Sequence, residues 1–261
     1  MDRHKLSPAY VRRFLHYRRR WLGRALPRAA ERLSGVSVQR SPPQGSLERE
    51  LRSLLRSERI DTVIDVGAHE GRYGQLVRRL GFEGRIVGFE PARTSFERLQ
   101  RRADEDRYWE VHRLALGRES GTLELQQFAE SQFNSLLAPR DGVALGGFDT
   151  VGSETVEVRR LDEVWTPLIG DGHRILLKID AQGADLDVLE GAADVLERCA
   201  AIQIEVSGVP IYEGSPPLHQ TVGYLFDRGF RITGLFPIVH DPRRPAAVVD
   251  FDATFVHAPD T

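Results

Sequence analysis

Two groups of residues carry the chemistry that can be read from this chain. In the first, an apolar run, Val63-Ile64-Asp65-Val66, enters the turn Gly67-Ala68-His69-Glu70-Gly71, and a second apolar run ends in Glu90-Pro91. A glycine turn after a strand lets backbone approach a ligand closely. A carboxylate closing the next strand can accept both hydroxyls of a ribose. Asp65 and Glu90 fit a nicotinamide dinucleotide and S-adenosylmethionine equally well, and the glycine spacing separates the two. A pyrophosphate asks for G-x-G-x-x-G, whereas this turn reads G-x-x-x-G with His69 where the middle glycine would fall. A cofactor without phosphates and with an amino-acid tail is the better fit. In the second group, Lys178 and Asp180 are two residues apart on a strand-like run and so share a face. Glu205 closes the following run.

Regular alternation from Ser46 onward positions these groups. Ser46–Glu58 reads as a helix on Leu47, Leu51, Leu54 and Leu55. Thr62–Val66, Arg85–Phe89, Tyr108–Leu114, Ile175–Ile179 and Ala201–Val206 read as strands, and Tyr73–Leu80, Thr94–Ala103, Ala184–Leu196 and Pro217–Arg228 as helices. Thr122–Phe128 and Thr155–Arg160 are alternating strands around a polar stretch. Phe230–Leu235 and Val248–Val256 close the chain as strands joined by a loop, Phe236–Ala246, without a helix between them. Strand–helix alternation predicts an α/β sheet, mostly parallel. The last, loop-linked strand is expected to run antiparallel. Adjacent parallel strands then bring Asp180 and Glu205 to the same edge of the sheet.

Composition bounds the rest. The chain has 261 residues, a single cysteine (Cys199) and no apolar run near the ~20 residues of a spanning helix. Disulfide scaffolds and Cys-based zinc sites are excluded, and a reducing, cytoplasmic setting is expected. Residues 1–40 hold 11 Lys and Arg against 2 Asp and Glu, while the remainder holds 25 against 36. This divides the chain into a basic helical extension with its linker, residues 1–45, and a main domain, residues 46–261. Residues 8–33 read as a helix with an aromatic stripe of Tyr10, Phe14, Tyr17 and Trp21. That helix either packs on the acidic main domain or lies peripherally on an anionic membrane or an acidic partner. The acidic main domain speaks against a nucleic-acid partner.

The motifs Asp65-Val66-Gly67-Ala68-His69-Glu70-Gly71, Phe89-Glu90-Pro91, Leu177-Lys178-Ile179-Asp180-Ala181-Gln182-Gly183-Ala184-Asp185 and Val188-Leu189-Glu190-Gly191-Ala192 occur in this order. Together they resemble the FkbM family of S-adenosylmethionine-dependent methyltransferases, over residues 47–257. Leu114-Ala115-Leu116-Gly117 and Asn134-Ser135-Leu136 also match. His69 departs from the asparagine more usual in the family, though a histidine still offers a hydrogen bond to the methionine carboxylate. The resemblance implies a Rossmann-like class I methyltransferase fold: a mostly parallel seven-stranded sheet with an antiparallel last strand. It also implies methylation of a hydroxyl oxygen on a sugar or natural product. By the same resemblance, Gly67, Ala68, His69 and Gly71 line the methionine end and Asp65 orients their turn. Glu90, with Pro91 beside it, holds the ribose. Ala115 and Leu116 border the adenine, and Asn134 and Ser135 close over the cofactor.

Methyl transfer from a sulfonium mainly needs alignment, but an alcohol acceptor must also lose its proton. Three readings stay open. Asp180 is the base, with Lys178 tuning it. Alternatively, Asp180 and Glu205 hold Mg²⁺, although the preferred set contains no metal. In the third reading, Lys178 only neutralises buried carboxylates. His240, in the expected loop Pro237–Pro245, and His219 are lesser candidates for the base. Phe133 and Tyr212 offer faces for a sugar ring, and Arg140, Arg243 and Arg244 suit an anionic acceptor group. The runner-up functions are an NAD-dependent oxidoreductase and a catalytically silent scaffold that binds the cofactor.

Overall fold

The computed structural model of the chain describes residues 46–140, 149–168, 173–241 and 244–258. The expected basic helix, its linker and Arg243 lie outside these described residues. The first element, α1 (Leu47–Ser57), begins at Ser46, whose Oγ accepts the Arg49 N–H at 3.3 Å. Its four leucines are buried, as their spacing requires. There follow β1 (Thr62–Val66), α2 (Arg72–Arg79), β2 (Arg85–Phe89), α3 (Arg93–Ala103), β3 (Trp109–His112), β4 (Ala115–Leu116), β5 (Gly121–Phe128) and β6 (Thr150–Arg159). The chain continues through α4 (Leu161–Leu168), β7 (Ile175–Ile179), α5 (Asp185–Glu190), α6 (Ala193–Leu196), β8 (Cys199–Ser207), α7 (Leu218–Phe226), β9 (Phe230–Asp241) and β10 (Arg244–His257).

Seven strands form the main sheet in the order β3-β2-β1-β7-β8-β10-β9. β1, β2, β3, β7 and β8 run parallel, and β10 is antiparallel to both of its neighbours. The α/β architecture with one antiparallel strand is thus as expected. β1 and β7 are buried along their whole length because both faces are covered. On one face Ile64, Leu177, Ile202 and Phe255 pack against Val188, Leu189 and Leu225. On the other, Val63, Leu176 and Ala201 pack against Leu51, Leu54, Val77 and Leu99. This second face changes character two residues further along, where β1, β7, β8 and β10 place Asp65, Lys178, Gln203 and Asp252.

Four features depart from the sequence reading. β4, β5 and β6 form a separate three-stranded sheet in the order β4-β6-β5, so the expected third strand ends at His112 and Ala115–Leu116 joins another layer. α4 is a helix that the sequence pattern did not reveal. The helix expected over Ala184–Leu196 is two, α5 and α6, parted at Gly191. A Cβ there would stand 1.9 Å from the Gly117 carbonyl oxygen, so this corner must pass bare against the end of β4. Finally, the expected loop Phe236–Ala246 is largely strand. Pro237 is accommodated because β9 is an edge strand, and register shifts in the β9–β10 pairing absorb the irregularity.

Candidate active site

The carboxyl ends of the parallel strands open into a cavity of about 290 Å³. Gly67 shapes its floor. Its φ is +71°, and a Cβ on it would lie 2.0 Å from the Asp180 carbonyl oxygen. The turn after β1 therefore presses directly on the end of β7, where Asp180 N–H donates to Val66 O at 3.1 Å. Only glycine satisfies both the left-handed backbone and that contact.

Glu90 closes β2 and is buried at the cavity wall. Its Oε2 accepts the His69 N–H at 2.8 Å and its Oε1 the Ala92 N–H at 2.9 Å. Each oxygen keeps a further lone pair. Burial pushes the Glu90 carboxyl up to about 7, against the pull of those two donors. His69 has a φ of +49° and turns its Nε2 to Ser131 Oγ, 2.9 Å away. Burial holds its imidazole down at about 4, so it is neutral at physiological pH. Its ring lines the cavity where a dinucleotide turn would need a bare backbone.

The turn's backbone donors are spent inside the protein, a departure from the expectation that they face the ligand. Gly67 and Ala68 N–H both donate to Phe89 O at 3.0 Å, and Gly71 N–H donates to Ala68 O at 2.8 Å. Gly67, Ala68, His69, Glu90 and Pro91 do line the cavity; Gly71 does not, packing instead against Leu99 and Trp109. Ala115, Leu116, Leu125 and Leu136 build an apolar slot at one end. Asn134 and Ser135 lie over the cavity, and their side chains tie the strap down. Asn134 Oδ1 accepts Phe128 N–H at 3.0 Å, and Ser135 Oγ donates to Gln182 O at 2.7 Å.

At the other end stand Lys178 and Asp180. Lys178 Nζ is 3.1 Å from Asp65 Oδ1 and 3.7 Å from Asp180 Oδ2, and it donates to the carbonyls of Val66 and Gly67 at 3.4 and 3.3 Å. Burial pulls the ammonium's pKa down, but Asp65 and Asp180 outweigh it and keep Lys178 charged. Asp65 is fully buried beneath the turn and does not line the cavity, so it neutralises Lys178 rather than meeting a ligand. Asp180 does line it. Gln182, at a φ of +49°, donates from Nε2 to Asp180 Oδ1 at 2.6 Å. The Tyr212 hydroxyl is shared between Gln182 Oε1 at 2.9 Å and Phe133 O at 3.1 Å. Asp185 fixes this corner by accepting the N–H groups of Ala181 and Gly183.

Several expected site residues stand elsewhere. Glu205 lies outside the cavity, and Asp252, directly opposite it on β10, lines the cavity instead. The two carboxylates expected to share Mg²⁺ do not both face the cavity, since Asp180 lines it and Glu205 does not. Among the described residues no group of three or more His, Cys, Asp or Glu could hold a metal. His240 sits on β9 opposite Val248 and His219 is exposed on α7; neither reaches the cavity. Tyr212 and Phe133 are buried at 2% and 4% exposure, so they are wall supports and not stacking faces. Arg140 and Arg244 lie outside the cavity. Arg72, Tyr73, Gln132, Gln182, Gln203 and Asp252 line it without having been singled out. Of these, Gln203 and Asp252 left a trace in the sequence as polar residues inside apolar strands.

Comparison with known proteins gives the family. The model of the methyltransferase FkbM domain matches residues 65–232. Methyltransferase sdnD of Sordaria araneosa is 31% identical over 195 residues, covering 66% of this chain and 74% of that protein. The 2-O-methyltransferase NoeI of Sinorhizobium fredii is 29% identical over 210 residues, covering 75% of this chain and 83% of its own length. The crystal structure of an FkbM methyltransferase from Methylobacillus flagellatus shares 20% identity at a TM-score of 0.48; the match covers 76% of this chain and less than half, 43%, of that one. With the family's domain matched from the first turn glycine's strand to the edge of the sheet, the chain belongs to the FkbM family of methyltransferases.

Proposed function

We propose that the chain transfers a methyl group from S-adenosylmethionine to a hydroxyl of a sugar-bearing or other natural-product small molecule. One observation carries this reading: the same cavity is lined by the apolar Ala115, Leu116, Leu125 and Leu136, by the Glu90 carboxylate, by Gly67 and by the Asp180 carboxylate. The residues present fit the cofactor. Ala115, Leu116, Leu125 and Leu136 suit the adenine, and Glu90 has lone pairs left for the ribose hydroxyls. The unmatched buried Gln203 Oε1 and Tyr73 hydroxyl mark the far end. The relative NoeI is named a 2-O-methyltransferase, which supports oxygen as the acceptor atom.

When bound, the cofactor supplies a methyl carbon on a positively charged sulfur. The chain's own residues do the rest. Gln182 points Asp180, and the Lys178 ammonium lies 3.7 Å from its Oδ2. Asp180 Oδ2 would take the acceptor hydroxyl's proton, and the bound donor would supply the methyl carbon to the hydroxyl oxygen. The strap Ser131–Ser135 excludes water above. Among the described residues no helix is long and apolar enough to cross a membrane. We place the chain in the cytoplasm on the strength of its single cysteine, which favours a reducing compartment.

Two measurements test this. Thermal shift with S-adenosylhomocysteine and with NAD should show stabilisation by the first alone, and stabilisation by NAD alone overturns the reading. Incubation with methyl-labelled cofactor and a panel of hydroxylated glycosides should label an ether oxygen. Label recovered only on nitrogen or carbon overturns the choice of acceptor atom.

A further inference from the structure

The far end of the cavity is a recess between α1 and α2, lined by Leu47, Tyr73, Leu76, Gln203 and Asp252. Gln203 stands in register with Lys178 across β7 and β8 and is only 3% exposed. Its Nε2 donates to Asp252 Oδ1 at 3.1 Å. A carboxylate only accepts, so that bond fixes which way the amide faces. It leaves Gln203 Oε1 as a buried acceptor without a hydrogen-bond partner. The Tyr73 hydroxyl is buried and unmatched as well. Burial and the carboxylates of Asp65 and Asp252 push its phenol well up, so it keeps a proton to donate at neutral pH. Native proteins seldom leave such groups unmatched, because each carries its full desolvation penalty.

Donor and acceptor counts identify the group that fits. An ammonium would leave the phenolic proton of Tyr73 unmatched, and a carboxylate would leave Gln203 Oε1 unmatched, whereas hydroxyls both donate and accept. Leu47 and Leu76 add apolar surface for the C–H face of a ring. The strand order tells which hydroxyl arrives there. Glu90 closes β2, Asp180 follows β7, and Gln203 and Asp252 belong to β8 and β10, further along the same sheet. An acceptor whose reacting oxygen meets Asp180 across from the donor therefore carries the rest of its body towards the recess. Lys178 stands between the two, its Nζ 3.7 Å from Asp180 Oδ2 and 5.6 Å from the centre of the Tyr73 ring. A hydroxyl held in the recess is thus not the one that reacts. We propose that Gln203 and Tyr73 read a second, non-reacting hydroxyl of a sugar-type acceptor ring, and so determine which hydroxylated acceptors are methylated and at which position. This assignment rests on the proposed methyl transfer and adds the residues that select its acceptor.

The test uses the full chain saturated with S-adenosylhomocysteine. The probes are the methyl pyranosides of glucose, galactose, mannose and xylose with their single-deoxy analogues, titrated by saturation-transfer NMR. At least one parent glycoside should bind, and one of its deoxy analogues should bind about tenfold more weakly, the scale of a buried hydrogen bond lost with its partner left unmatched. In Gln203→Leu the parent should weaken by about the same factor and that deoxy analogue no further, because both changes remove one contact. Tyr73→Phe should give the same pattern with a smaller loss. Calorimetry should find S-adenosylhomocysteine affinity in both variants within about twofold of the unmodified chain, the range for sites that do not interact, which also shows that they are folded. Binding of no glycoside, additive losses from the substitution and the deoxy analogue, or a loss of S-adenosylhomocysteine affinity as large as that of the glycoside overturns the assignment. Failure of the donor reading looks different: the unmodified chain then does not bind S-adenosylhomocysteine at all.

Discussion

Replacing Lys178 by methionine would isolate Asp65, and the size of the effect follows from the site. Asp65 is fully buried, and its closest countercharge is Lys178 Nζ at 3.1 Å. Breaking a buried pair from one side typically costs about 3–5 kcal/mol, because the remaining charge is uncompensated. Without the ammonium nothing as close opposes the desolvation of the carboxylate, so the Asp65 carboxyl moves further up from its unfolded value. Burial already acts in that direction. With the folded pKa above the unfolded one, the folded state holds the extra proton. The variant's deficit is therefore small near pH 4 and grows to its full size as pH rises through the folded value. Urea unfolding of Lys178→Met at several pH values measures this directly. The double variant Lys178→Met with Asp65→Leu should recover most of the loss at neutral pH. A deficit under about 1 kcal/mol at pH 7, or one that does not change with pH, refutes the view that this pair holds the site together.

Other expectations follow from the same geometry. Glu90 is raised to about 7, so its neutral form favours the fold below the unfolded value. That contribution, up to about 3 kcal/mol, is lost as pH rises through 7, and Glu90→Gln should flatten the slope in unfolding experiments. Ribose hydroxyls donate best to the ionised carboxylate, so S-adenosylhomocysteine affinity should rise between pH 6 and 8 in calorimetry, and not in Glu90→Gln. Gly67→Ala drives a Cβ into the Asp180 carbonyl and should lower stability by more than about 2 kcal/mol, read as a fall in Tm. The His69 imidazole should titrate near 4 in an NMR pH series; a midpoint near 6.5 would mean that it is not enclosed as described. Tyr212→Phe removes one hydroxyl shared by Gln182 and Phe133 O and should cost about 1–2 kcal/mol of stability in urea unfolding.

The sequence was most legible where burial is complete. Thr62–Val66, Arg85–Phe89 and Ile175–Ile179 are strands to the residue, because both faces are covered and an unbroken apolar run marks them. Glu90 and Asp180 were found because they end such runs. What escaped is decided by contacts distant in sequence. Nothing local to Glu205 says that Asp252, across the β8–β10 pairing, is the carboxylate that reaches the cavity. The prolines at 237, 242 and 245 read as a loop, and for Pro237 the tolerance of an edge strand for proline depends on knowing that β9 is an edge. Asp65 looked like a ligand-facing acid and proved to be the hidden partner of Lys178.

The excursion between β3 and β7 has an evolutionary consequence. β1 pairs directly with β7, so the small sheet and α4 hang outside the register that fixes Gly67 against Asp180. Segments in this bypass can be lengthened, shortened or exchanged while that junction stays rigid. Among the described residues its tethers to the donor turn and to the Asp180 corner include Ser131 to His69 and Ser135 to Gln182. A lineage that kept those two serines and the apolar slot of Ala115, Leu116, Leu125 and Leu136 could refit the rest of the bypass to new acceptors and inherit the transfer chemistry intact.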